Sequence, residues 1–479
     1  MGKLNVLLIC VDQWSGKFVG AAGHRVIKTP TLDSLVQCGI NYSNAYSECP
    51  VCIPARRTIM TGLSPKNHGN REYCEKLEMP KVQTLAESFK KAGYQAFAVG
   101  KMHVYPQRNR IGFDDIILHE EGRNQFGVSD DYQVWLTEQG FGGEEFGHGM
   151  SNNEYLTRPW HLPEKAHPTN WSTREMIKMI RRRDPTKPAL FYLSYQFPHP
   201  PLVPIAQYFD MYKEEEIDSP VLSSDWLNVK NFTIAYLQQL GKNYSLNLIR
   251  TARQAYYAQC TYIDHQLRLL IGTLREEGVL SNTLIAFTSD HGEMLGNHKM
   301  WGKRSFYENS AKIPMIISGE CIGNRNEEDT RLVGQIDLMP TLLDICEIDD
   351  HGLDLDGLSV FSSNSHKYLF GEINEVPSAT RMIHDGQFKL IYYPVGNYFQ
   401  LFDLNNDPEE QINLVHQEEF FGKFRELEKI LTQNLNSGDE KWMHNDVLEG
   451  LKDRDFSPNI NLRIGNQRGV NLHPQNFNL

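Results

Sequence analysis

Short apolar runs, each ending in a polar cluster, constrain this chain more than any other feature. Leu4–Val11 is apolar and β-rich and stops at Asp12-Gln13. Comparable runs follow at Tyr94–Val99, Ala189–Tyr195, Thr283–Thr288 and Ile313–Ile317. Between them the period changes to that of a helix. Val82–Ala92 places Leu85, Phe89 and Ala92 on one face with Gly93 as its cap, and Leu248–Leu274 reads as one long helix. Thr29-Pro30-Thr31 opens a further helix through Leu32, Leu35 and Val36, which Gly39 stops. Strands without a polar face must be covered on both sides, so the alternation predicts an α/β fold, a mostly parallel sheet flanked by helices.

The alternation ends near residue 360. Tyr368–Ile373, Arg381–His384, Gln387–Tyr393 and Gln400–Asp403 read as short strands with no helix between them, and Asp385-Gly386 as a tight hairpin turn. Glu418–Leu435 then has helical period. At 479 residues the chain is too long for one simple core. We therefore expect a large domain over residues 1–360 and a smaller antiparallel sheet with a packing helix over 361–452. A stretch rich in Asn, Pro and Gly over 453–479 is read as either a loose tail or an arm that joins two copies of the chain.

The formal charge of −12 argues against a nucleic-acid or anionic-membrane partner, either of which needs a basic face. An anionic substrate would depend on a local basic pocket. No apolar run approaches the ~20 residues that span a bilayer. The N-terminal run lacks the basic head and small-residue cleavage site of a signal peptide, so the expected location is cytoplasmic, or secreted or periplasmic if a signal has been removed. Eight scattered cysteines fit reduced thiols.

In open α/β sheets ligands bind at the carboxyl ends of strands. Four such exits carry reactive groups: Asp12-Gln13, then Lys101 and His103 after Gly100, His199 after Gln196-Phe197-Pro198, and Asp290-His291 after Ser289. Asp12, Gln13, Asp290 and His291 offer carboxylate and amide oxygens plus one imidazole to a single point. That set suits Ca²⁺ or Mg²⁺, and the imidazole also admits Mn²⁺.

The stretch ECPVCIPARR, residues 48–57, reads in two ways. Cys49-x-x-Cys52 is the spelling of a redox pair or half a zinc site, yet no second such pair occurs to complete a zinc site. Read from the second cysteine, Pro54 takes an early helical position and Cys52 lies at a helix N-terminus, where amide N–H groups favour an anion. Arg56, one turn on, adds a positive charge facing the same pocket.

Cys52-x-Pro54-x-Arg56 followed by Thr61-Gly62 resembles the sulfatase signature. The segments NVLLICVDQ, KTPTLDSL, NAYSECPVCIPARRTIMTG, GKMH, FPHPP and SDHGEMLGNHKMWGKRSFYE stand in that family's order and approximate spacing over most of the chain. The resemblance implies an alkaline-phosphatase-like fold with a small C-terminal antiparallel domain. It also implies that Cys52 is oxidised by a maturation enzyme to formylglycine, whose hydrate attacks the sulfur of a sulfate ester and later expels sulfate by re-forming the aldehyde. The metal ligands would be Asp12, Gln13, residue 52, Asp290 and His291, with calcium expected and manganese or magnesium also compatible. Arg56, Lys101 and Lys303 would stabilise developing charge, His103 would assist proton transfers at residue 52, and His199, shared with Lys303, would protonate the leaving oxygen. His298 is expected either behind this set or at the surface.

Many sulfatases carry two Asp at the first exit and Asp-Asn at the later one. Asp12-Gln13 and Asp290-His291 instead resemble the choline-sulfatase branch and the related phosphonate monoester hydrolases. KMWGKRSFYE is closer to sulfatases, so a sulfate ester is expected over a phosphonate or phosphate diester. A binder of sulfated ligands with unconverted Cys52 would have no use for so many placed acid–base groups. Trp14, Trp301, Tyr105, Arg108 and Arg110 are candidates to contact a sugar or aryl group, and the polar segment from Asn124 to Lys187 is expected to wall the pocket.

Overall fold

Along β1 (Asn5–Asp12) the side chains divide between two cores. Leu7, Ile9 and Val11 enter one cluster with Tyr256, Ile263 and Leu267 of the helix Leu246–Glu276. Val6, Leu8 and Cys10 enter the other with Leu85 and Phe89 of the helix Leu85–Lys91 and Leu342 of the helix Leu338–Ile345. This period of two on a strand buried throughout requires a three-layer arrangement. Each fully buried aliphatic side chain contributes roughly 1.5–3 kcal/mol, so the strand is firmly anchored and its exit residues are held in place. The computed structural model describes residues 3–122, 129–239, 244–323, 325–350, 352–445 and 447–457.

The other strands of the main sheet are β2 (Gly39–Tyr42), β3 (Gln95–Gly100), β4 (Asp115–Leu118), β5 (Ala189–Pro198), β6 (Thr283–Ser289), β7 (Met315–Ser318) and β8 (Glu327–Asp329). Their order across the sheet is β4-β3-β5-β1-β6-β7-β2-β8. Only β7 runs against its neighbours; every other pairing is parallel. The α/β expectation is met, and β2, β4 and β8 are additions to it. Gly100 ends β3 with φ 101°, and a Cβ there would lie 1.9 Å from the Ser194 carbonyl oxygen, so only glycine lets β3 approach β5 this closely before Lys101.

Four further strands, β9 (Leu369–Ile373), β10 (Thr380–His384), β11 (Phe388–Tyr393) and β12 (Tyr398–Asp403), form an antiparallel meander. Asp385 Oδ1 accepts from the Gln387 and Phe388 amides while Gly386 takes φ 96°, which makes the expected hairpin turn. One face, with Ile383, Leu390 and Leu401, packs on Leu427 and Leu431 of the helix Phe421–Asn434. The other, with Met382, Ile391 and Phe402, packs on Tyr46, Phe306 and Tyr307. The start of the C-terminal stretch folds back on its own chain, with the Arg454 guanidinium 4.3 Å from the Phe232 ring centre and Phe456 edge-on to it. Residues 458–479, the rest of the expected tail or arm, lie outside the described residues. Among the described residues no helix is long and apolar enough to cross a membrane.

Candidate active site

The helix Cys52–Thr61 starts where Val51 is still extended, carries Pro54 in its first turn, and ends at Gly62, whose left-handed backbone (φ 66°) lets its amide donate to Thr58 O at 2.8 Å. Every residue of this helix is buried. Cys52 is its first residue, with Sγ 3.1 Å from His291 Nε2 and 3.9 Å from Asp12 Oδ1. Cys49 turns the other way, its thiol donating to Arg71 O at 3.6 Å, and all eight cysteines are free of disulfides. The two cysteines are therefore not a functional pair.

Arg56, one turn along, fastens three strand ends together. Its Nε donates to Asp290 Oδ2 at 2.9 Å and its Nη2 to Asp12 Oδ2 at 3.2 Å. Its Nη1 donates to Lys101 O at 2.8 Å and Ser194 Oγ at 2.7 Å. The guanidinium is thus mainly engaged in fixing carboxylates and backbone, where a single charge facing the pocket had been expected. Lys101 lies between Asp12 Oδ2, at 2.5 Å, and Glu121 Oε1, with all three groups fully buried.

Asp12, Cys52, Asp290 and His291 bring one potential ligand atom each to within 4.8 Å of one another. His291 Nδ1 donates to Gly292 O at 3.0 Å, which turns Nε2 toward Cys52. Burial would raise the Asp12 carboxyl, but Lys101 and the other neighbouring cations outweigh it and hold it well below the usual range. Asp290 moves the other way, raised by burial and by the Asp12 charge. Burial and Asp12 also push the Cys52 thiol up, and Lys303, His291 and Lys101 together bring it below its ordinary value. Two adjacent buried carboxylates, an imidazole nitrogen and a sulfur form a donor set that fits a divalent cation.

Gln13 stands at the edge of this cluster. Its amide N donates to Asp290 Oδ1 at 3.0 Å, and its side-chain oxygen accepts from Lys303 Nζ at 2.5 Å. His199 is buried, with Nδ1 donating to Pro200 O at 2.6 Å; burial first, then the Lys303 charge, holds its pKa well below the ordinary value. His103 is buried beside the Tyr73 ring, and Glu120 accepts its backbone amide. Gln13, His103 and Glu121 all hold positive φ, at 68°, 54° and 60°. Such backbone costs about 1–3 kcal/mol per residue and clusters at functional sites.

Other expectations need correction. His298 is neither at the surface nor engaged with this cluster: it is buried, Nδ1 accepts from Ser223 N and Nε2 donates to Glu409 O, and burial pushes its pKa down to about 4. It ties loops together. Trp14 is core, its indole N–H donating to Phe18 O, and Trp301 is buried against Tyr155 and Tyr244. Arg108 and Arg110 pair on the surface with Asp131 and Asp115. Of the expected pocket wall, 124–128 lie outside the described residues; Tyr155 reaches the site through Gln13, and Asn152 through Glu121 O. Ser194, Glu120, Glu121, Tyr155 and Glu293 take part in the arrangement without having been singled out from the sequence.

The sequence model of the sulfatase family matches residues 4–348, and that of the C-terminal region of N-sulphoglucosamine sulphohydrolase matches residues 296–438. The chain belongs to the sulfatase family. It is 36% identical over 476 residues to an arylsulfatase of Clostridium perfringens, covering 94% of this chain and 98% of that one. It is 28% identical over 438 residues to a choline-sulfatase of Rhizobium meliloti, covering 86% and 82%. The fold also matches the phosphonate monoester hydrolase of Agrobacterium radiobacter, with a TM-score of 0.75 at 23% identity, covering 90% of this chain and 96% of that one. This sulfatase is accordingly a sulfuric ester hydrolase.

Proposed function

We propose that this sulfatase converts a sulfate monoester of an aryl, choline-like or carbohydrate alcohol to the alcohol and inorganic sulfate, with residue 52 acting as a formylglycine hydrate made from Cys52. The observation that carries the reading is the position of Cys52: first in a buried helix, 3.1 Å from His291 Nε2, within a cluster fit for a cation. In that reading the thiol sulfur marks where the hydrate oxygen would sit.

A divalent cation, calcium being expected, would be held by Asp12, Gln13, Asp290, His291 and residue 52, and would supply Lewis-acid stabilisation of negative oxygen. The chain's own groups do the rest. Arg56 keeps the two carboxylates at a fixed separation. Lys101 and Lys303 supply positive charge near the transferring group in a site shielded from water, where it acts most strongly. His103, its backbone held by Glu120, would assist the proton transfers at residue 52. For His199 the Lys303 charge is one reason its pKa lies low. An anionic ester bound beside both would offset that repulsion and let Nε2 carry the proton for the leaving oxygen.

An aryl sulfate and an aryl phosphonate monoester should separate the possible substrates: kcat/KM is expected to be higher for the sulfate. A higher value for the phosphonate would transfer the reading to phosphonate or phosphate diester hydrolysis at the same residues. Chelation should abolish turnover, and calcium should restore it. The same titration should raise thermal stability, since a ligand at about 100 times its Kd adds about 2.7 kcal/mol; a melting curve indifferent to calcium would count against the cation site.

A further inference from the structure

Gln13 places an amide where a carboxylate would present the same face either way up. An amide has two unlike ends, and only the oxygen can serve a cation or accept from Lys303. Something must choose between them, and Glu293 is placed to do so.

Glu293 is fully buried on the loop after β6. Its Oε1 accepts from the backbone amides of Leu295 and Gly302, each at 2.7 Å. Its Oε2 accepts from Tyr155 OH at 2.6 Å and from Gln13 Nε2. Gln13 Nε2 donates in addition to Tyr155 OH at 3.0 Å. With both of its oxygens used as acceptors, the carboxylate captures the NH₂ end of Gln13 and leaves the oxygen for Lys303, 2.5 Å away. Through Gly302 the same carboxylate fixes the backbone next to Lys303. A wrong-way amide would aim NH₂ at an ammonium group and leave two acceptors facing each other.

We propose that Glu293 is a positioning residue that sets the orientation of the Gln13 amide, so that oxygen and not NH₂ is presented to the cation cluster and to Lys303. The inference rests on the reading of Gln13 as a cation ligand. It predicts that adding charge at position 13 harms the site. Gln13→Glu would set two carboxylates against each other, and Glu293→Gln would set two amides against each other without a fixed polarity. The exchanged pair, Gln13→Glu with Glu293→Gln, restores one donor facing one acceptor.

The test is calcium affinity by calorimetry on purified full-length wild type, the two single variants and the double variant, with kcat and KM at saturating calcium measured alongside. Each single variant should bind calcium about 10- to 100-fold more weakly. The double variant should recover to within about threefold of wild type, as expected of coupled neighbours. Losses that simply add in the double variant would overturn the proposal, as would tighter calcium binding by Gln13→Glu alone. Asp290→Asn serves as the control on the site: unchanged calcium binding there would overturn the cation cluster and the orientation role together, whereas additive losses overturn the orientation role alone. A purely structural role for Glu293 would lower stability in both Glu293→Gln and the double variant and could not give rescue.

Discussion

Replacing Arg56 by alanine should remove almost all turnover and lower stability by about 3–5 kcal/mol, the usual consequence of breaking a buried charge pair from one side. Both Asp12 and Asp290 would lose a guanidinium donor, and the Lys101 carbonyl and Ser194 hydroxyl would lose theirs. Arg56→Lys should recover only part of this. It keeps the charge, but an ammonium on a flexible stem cannot reproduce a planar fork that reaches two carboxylates and two further acceptors. Urea unfolding and aryl sulfate turnover on the two variants check the order wild type, then lysine, then alanine. An alanine variant with wild-type melting and turnover would show that the strand ends hold their positions without it.

Cys52→Ser should fold normally and lose steady-state turnover by about 10³-fold or more, about 4 kcal/mol in barrier height. The reason is chemical rather than structural. A serine oxygen can accept a sulfuryl group, but it carries no second hydroxyl to expel it, so each active site stops after one event. Stopped-flow release of an aryl alcohol should show a single burst, and the intact protein should gain the mass of one sulfuryl group, SO₃. Sustained turnover by the serine variant would mean that residue 52 needs no internal exit and that the hydrate is not the nucleophile. The burst separates this outcome from general damage, which would abolish both phases.

How far the sequence led depended on the length of each strand. β1, β3, β5 and β6 are long, apolar runs, and their exits pointed to Asp12, Gln13, Lys101, His103, His199, Asp290 and His291; of these the structure gathers Asp12, Lys101, Asp290 and His291 around Cys52 and Arg56, with Gln13 against Asp290. β4 is a four-residue edge strand that opens with Asp115, too short and too polar at its start to stand out. Had it been read, the same rule about strand exits would have given His119, Glu120 and Glu121, two of which support the site. Ser194 was hidden for the opposite reason, being one polar residue inside an apolar strand. Tyr155 lies in a polar segment without periodicity, so nothing in its local pattern connects it to Gln13. Glu293 stood within a recognised motif, but its role depends on which end of an amide it meets, and that is a matter of three-dimensional placement. Trp14 and Trp301 show the converse error: proximity in sequence to site residues suggested the pocket, but the Trp14 indole bonds to Phe18 O and the Trp301 ring packs on Tyr155 and Tyr244.

The chemical state of residue 52 is open to measurement. Protein from its native host, fractionated by aryl sulfate turnover, is digested and the peptide spanning residues 29–56 is analysed by mass spectrometry. An aldehyde or its hydrate at position 52, in proportion to activity across the fractions, is the predicted result; full activity in a fraction that carries only the Cys52 thiol would contradict it.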